Sequence, residues 1–268
     1  MTPDGIARRE WQRFTPMERL ARYGVYLAIV AAIVVSIRTV QVIPEFVLDA
    51  PEQIGDLLRR MWPPDAAFYP EGIHAALLDS IHIASVGTAL GIAMALPFGF
   101  LAARNVTPAG WLNWLARLVL ISARSINTLV FALLFVAIFG PGAVAGTLAI
   151  AFHSIGFLGR LFAEALEEAS PGPIDALRAA GAPWPSVIVY GYWPQVAPAF
   201  WALVLFRWDI NVRESIVLGL VGAGGIGVVL DTALNLFQWT RVAMVLVAIL
   251  AVVVVAEVAV TYIRKKII

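Results

Sequence analysis

The sequence predicts an all-α integral membrane protein with six spanning helices, a glycine-rich re-entrant element and one short helix outside the membrane. Three observations carry that expectation. Of the 268 residues, 60% are hydrophobic and only 14% charged, against about 25% charged in a soluble domain. The mean hydropathy is +0.84. Apolar runs long enough to cross about 30 Å of hydrocarbon recur along the chain, separated by polar or Pro/Gly-rich punctuation.

Composition also excludes. There is no cysteine, hence no disulfide and no thiolate metal site. The three histidines lack H-x-x-x-H spacing, so no metal site is expected. No G-x-x-x-x-G-K-[ST] run exists, so ATP is not bound by that route. No cofactor is expected on this chain and no nucleic acid among its partners; the net charge of +1 carries little information beside the placement of the charges.

Residues 1–22 read as a basic interfacial segment carrying Arg8, Arg9, Arg13, Arg19 and Arg22, with Trp11, Phe14, Met17 and Leu20 recurring every three residues. Thr15-Pro16-Met17-Glu18 has the form of a capping box. The transmembrane domain occupies 23–268. Its first span runs from about Tyr23 to Ile43 and is too long for a secretory signal. Residues 44–77 hold five prolines and several acids and read as a water-exposed connection, with an amphipathic patch from Ile54 to Met61. Further spans are expected over about 78–103, 115–139, 144–166, 187–207 and 242–263. Gly140-Pro141-Gly142 makes the turn before the fourth. Ile216 to Leu230 is apolar, glycine-rich and short for a span, which suggests a re-entrant or broken element.

Basic residues set the orientation. Six spans place Arg8 to Arg22, Arg104, Arg117, Arg160, Arg178 and the terminal Arg264-Lys265-Lys266 on one side. Arg59, Arg60, Arg213 and Arg241 fall on the other. The first side is then cytoplasmic and holds both termini.

One stretch on that side stands apart from the apolar chain. In the loop 167–186, Asp175-Ala176-Leu177-Arg178-Ala179-Ala180-Gly181 predicts about two turns of helix. Pro173 suits its first turn, where Asp175 meets the positive end of the helix dipole. Gly181 suits a left-handed cap, and Pro183 stops continuation. Such a helix is too short to stand alone and needs a docking surface.

This helix, followed by Pro194 thirteen residues after its glycine, resembles the E-A-A-x-x-x-G … I-x-L-P loop of binding-protein-dependent ABC importer permeases. Asp175 stands for Glu, Leu177 for the second Ala, and Gly191 and Trp193 for Ile and Leu. Further stretches resemble the phosphonate-importer permeases: Asp79-Ser80-Ile81 through Ala95-Leu96-Pro97, Arg124-Ser125-Ile126, Phe131 to Val136, Gly156 to Glu164 and Gly219 to Gly227. Together they cover most of residues 70–265. The resemblance implies a type I importer fold in the bacterial inner membrane, and a path for phosphonate, phosphite or phosphate. It implies as partners a second copy of the chain, two cytoplasmic ATP-binding subunits and a phosphonate-binding protein on the outer face. Residues 175–181 would be the coupling helix, and no catalysis would fall to this chain.

Each candidate site has a plainer reading beside it. The loop helix could simply pack on its own chain. Arg124 sits within a span and Asn127 follows three residues later, which suggests one face lining the path; the alternative is that Arg124 snorkels to the interface. His153 and Ser154 lie mid-span, where helix–helix contact is the commoner role. Asn211, Arg213 and Glu214 are expected at the outer mouth, as substrate contacts or as a solvated pair. Gly222 to Gly227 matches G-x-G-x-x-G, but lacks the strand and the following acid of a dinucleotide site. A different class of protein, a proton-coupled secondary transporter, would use Arg124, His153 and Glu257 as its relay.

Overall fold

The computed structural model describes residues 14–40, 43–107 and 109–267, and every regular element among them is helical. The chain divides into two compact units, Met1–Asp56 and Leu57–Ile268. Arg8, Arg9, Trp11 and Arg13 of the interfacial segment lie outside the described residues.

In the N-terminal unit, helix α1 (Pro16–Thr39) starts where the capping box places it. The Thr15 N–H donates to Glu18 Oε2 at 2.9 Å, and Glu18 N–H donates to Thr15 Oγ1 at 3.4 Å. Its apolar side chains from Tyr23 to Ile37 are exposed around the whole circumference, as suits a helix surrounded by lipid. The segment expected as an open connection contains α2 (Pro44–Met61), with Pro51 inside it.

The second unit is built on α3 (His74–Ala102) and α6 (Ala143–Glu167), its most extensively packed pair. Between lipid-bathed helices close contact matters more than apolar burial, and small residues permit it. A Cβ added at Gly91 of α3 would stand 2.7 Å from Ser154 Cβ and 3.2 Å from the Ala151 carbonyl oxygen. Around this pair lie α4 (Gly110–Ser125), α5 (Thr128–Phe139), α9 (Trp193–Gly219), α10 (Ile226–Asn235) and α11 (Trp239–Ile267). The short α7 (Pro171–Ala179) and α8 (Trp184–Ser186) precede α9.

Among the described residues, 5 helices are long and apolar enough to cross a membrane, or up to 6 if α4 and α5 together form one span. Those two correct the expected straight third span, because the chain bends by 88° between them. Asn127 causes the restart: its Oδ1 caps the Leu129 N–H at 2.9 Å. The Ile126 carbonyl, freed from the helix, meets His153 Nδ1 at 3.0 Å.

The fifth span also differs from expectation. It does not end near Arg207 but continues as α9 to Gly219, carrying its charged residues through as internal pairs. The glycine run then forms a tight turn, with positive φ at Gly222, Gly224 and Gly225, before the ten-residue α10. Ser80 Oγ accepts from the Ile226 N–H at 2.8 Å, and the Gly142 N–H donates to the Gly222 carbonyl at 2.9 Å. The glycines thus serve close backbone approach between the turns.

Candidate functional sites

The first site is the loop helix. α7 begins at Pro171 with Ser170 as N-cap, two residues earlier than Pro173, so Asp175 lies in the second turn. Its C-terminus is a Schellman cap. Gly181, at φ +74, donates to the Arg178 carbonyl at 3.0 Å, and the Ala182 N–H donates to the Leu177 carbonyl at 3.0 Å. Ile174 is buried and Leu177 half-buried, whereas Asp175, Ala176, Arg178, Ala179, Ala180 and Gly181 are exposed. Asp175 and Arg178 form a solvent-facing pair at 3.7 Å.

Two departures from the signature loop compensate each other. A Cβ on Gly191 would stand 3.2 Å from Leu177 Cδ1 and 3.4 Å from Ile174 Cγ1. The larger Leu177 therefore fills space that the smaller Gly191 leaves. The loop is also tied to the bundle by polar contacts. Glu167 Oε1 accepts from Arg117 Nη2 at 2.6 Å and from the Arg104 N–H at 2.8 Å. Gln195 Oε1 accepts from the Ser170 N–H at 2.9 Å. α7 is thus docked by one face on its own chain and presents the other.

The second site is a polar cluster inside the bundle. On α9, Arg207, Asn211 and Glu214 recur at helical spacing and face α3, α5 and α6. Arg207 is only 3% exposed. Its Nε donates to Ser154 Oγ at 3.0 Å and its Nη2 to Glu214 Oε2 at 3.2 Å. Thr128 Oγ1 donates to the same carboxylate oxygen at 2.9 Å. Asn211 Nδ2 donates to Thr88 Oγ1 at 2.7 Å and to Ser154 Oγ at 3.2 Å. Arg213 is paired with Asp209 on the adjacent strip of α9. An open cleft of about 370 Å³ lies beside the cluster, lined by Asn127, Thr128, His153, Ile210, Arg213 and Glu214 among others.

The structure thus gathers Asn127, His153, Ser154, Asn211 and Arg213 in one region. Asn211 and Arg213 are inside the fifth helix rather than in a loop at its outer end. Arg124 does not share a helical face with Asn127. It is exposed on the last turn of α4, where a cation suits the helix dipole. Sequence reasoning missed Arg207, Asp209, Thr128 and Thr88. The signals were present: Asp209 and Arg213 stand four apart, and Arg207, Asn211 and Glu214 mark one helical stripe.

The model of the binding-protein-dependent transport system inner membrane component family matches residues 95–268. The chain belongs to that family. This permease-family chain is 39% identical over 212 residues to the phosphite transport system permease protein PtxC of Stutzerimonas stutzeri, covering 79% of this chain and 77% of that one. It is 34% identical over 251 residues to the phosphate-import permease protein PhnE of Mycolicibacterium smegmatis. That alignment covers 94% of this chain but 47% of the relative, so the chain spans about half of that protein. A chain of the inward-facing MetNI methionine ABC transporter superposes with a TM-score of 0.64 at 22% identity, over 72% of this chain and 95% of that one. The fold is that of type I ABC importer permeases, as the sequence led us to expect. The chain is a multi-pass component of the inner membrane.

Proposed function

We propose that this chain is the transmembrane subunit of an ATP-driven importer for phosphonates or the related oxyanions phosphite and phosphate. The observation that carries the reading is α7, docked through Ile174 and Leu177 while Asp175, Ala176 and Arg178 to Gly181 are uncovered. In a chain of this family, that face fits a groove on a separate ATP-hydrolysing subunit. The substrate class rests on the relatives, which are phosphite- and phosphate-transport permeases by name, and Arg213 and Asn127 line the cleft as N–H donors beside Glu214.

In this reading two copies of the chain form one pathway, with an ATPase on each α7 and a binding protein delivering substrate on the outer face. Both termini lie in the cytoplasm, following the bias of basic residues. The chain binds no cofactor and catalyses no reaction; it supplies the path and transmits motion. Uptake of phosphite into liposomes tests this. Transport that needs ATP on the ATPase side and the loaded binding protein on the other supports it. Transport driven by a proton gradient without ATP would overturn it in favour of a secondary transporter.

A further inference from the structure

Arg207 has no role in the reading above, yet it is the most enclosed cation among the described residues. We propose that its guanidinium is a seat for one tetrahedral oxyanion, and that Glu214 occupies this seat as a built-in competitor until substrate displaces it. The inference rests on the importer reading.

The two halves of the pair sit differently. The Arg207 side chain is 3% exposed, while that of Glu214 is 27% exposed and lines the cleft. Ser154 Oγ fixes the guanidinium from α6, and its Cζ lies 5.5 Å from the Phe157 ring centroid. A guanidinium so placed requires an anion, and its planar fork accepts a carboxylate or a phosphorus oxyanion alike. The carboxylate that fills this need has one further hold, the Thr128 hydroxyl at 2.9 Å on another helix. It therefore stands between the cleft and Arg207, where a small rotation into the cleft would uncover the cation. An incoming oxyanion would take over the Arg207 contact and the hydroxyl donor of Thr128 together.

Arg213, which lines the cleft from the same helix, is likewise paired, with Asp209. Both arginines of this stretch of α9 are thus carried by internal carboxylates, and His153 of α6 is engaged with the Ile126 carbonyl. An entering anion exchanges with a carboxylate rather than adding to a bare positive site. This keeps binding weak enough for release, which a conducting path requires.

The test uses the purified complex of this chain with its ATPase, without binding protein, and inorganic phosphite as probe. Glu214→Gln is expected to lower the melting temperature, because Arg207 loses its anion. Phosphite should restore it, while chloride should not and the unaltered complex should not respond. Labelled phosphite should bind the variant roughly ten- to a hundredfold more tightly than the unaltered complex, the range of one charged hydrogen bond. Arg207→Met combined with Glu214→Gln should abolish the response. Should Glu214→Gln fail to fold, Glu214→Asp carries the test, since the shorter carboxylate loosens its hold on Arg207 while leaving the Thr128 hydroxyl for the oxyanion; tighter phosphite binding is again expected. A destabilised Gln variant that phosphite neither binds nor restores would reduce the pair to a structural one and overturn the proposal. ATP hydrolysis stimulated by a phosphite-loaded binding protein, measured in the same preparation, separates the two claims. Stimulation without restoration sinks only the seat, whereas restoration without stimulation keeps the seat and overturns the importer reading.

Discussion

Gly181 offers a graded probe of the coupling helix. Its φ is +74, and a Cβ added there would meet nothing within 4 Å. A substitution therefore tests backbone conformation alone, without a clash. An L-residue in the left-handed region costs about 1–2 kcal/mol, less for Asn. That is a factor of roughly five to thirty in the population of the capped conformer. A nine-residue helix has little stability of its own to absorb the loss. Proline goes further: it fixes φ near −65° and removes the N–H that donates to the Arg178 carbonyl at 3.0 Å. Stimulation of ATP hydrolysis by loaded binding protein should fall in the order Gly, Asn, Ala, Val, with Pro lowest by a wide margin. Spans and membrane insertion should be unaffected throughout. Stimulation in Gly181→Pro equal to that of the unaltered complex would refute the argument that α7 must be capped to couple.

Other positions give independent checks. Gly91→Val should destabilise the purified protein by about 1–3 kcal/mol through overpacking against Ser154, whereas Gly24→Ala, inside α1 with nothing within 4 Å, should not lower the same thermal melt and can raise it by up to about 1 kcal/mol of helix propensity. Ser80→Ala leaves the buried Ile226 N–H without its acceptor, and should cost about 1–3 kcal/mol, seen as earlier proteolysis at the 220–226 turn. Asn127→Ala should cost about 1 kcal/mol with recovery in Asn127→Ser, because both Asn and Ser can cap α5. Glu167→Gln removes a partly exposed pair with Arg117 and should change the melt by less than about 1 kcal/mol.

Local chemistry was legible where it was punctuated. Thr15 to Glu18 opened α1, Gly140 to Gly142 opened α6, and Gly181 closed α7, each because a cap needs a particular residue type. Hydropathy failed where apolar character continues through a change of direction. Residues 115–139 read as one span, although Asn127 between Ser125 and Thr128 offers a helix start that bends the chain by 88°. Hydropathy errs the opposite way at Arg207 to Glu214, where the charges read as the end of a span but α9 continues to Gly219. There the helix continues because the arginines find their carboxylates four and seven residues along the same helix. The exchange of bulk between Leu177 and Gly191 was visible only as two separate departures from a pattern. Their fourteen-residue separation gives no clue to contact until the chain turns back at Pro183 and packs.

The most direct test of the central claim uses the absence of cysteine from this chain. Ala179→Cys places a single thiol on the uncovered face of α7, and Phe237→Cys places one in the exposed turn before α11. Maleimide labelling of both is measured with and without the ATPase subunit. The account predicts that the thiol at 179 reacts in the free chain and is protected by the ATPase, while the one at 237 reacts equally in both. Equal labelling at 179 with and without bound ATPase would contradict it.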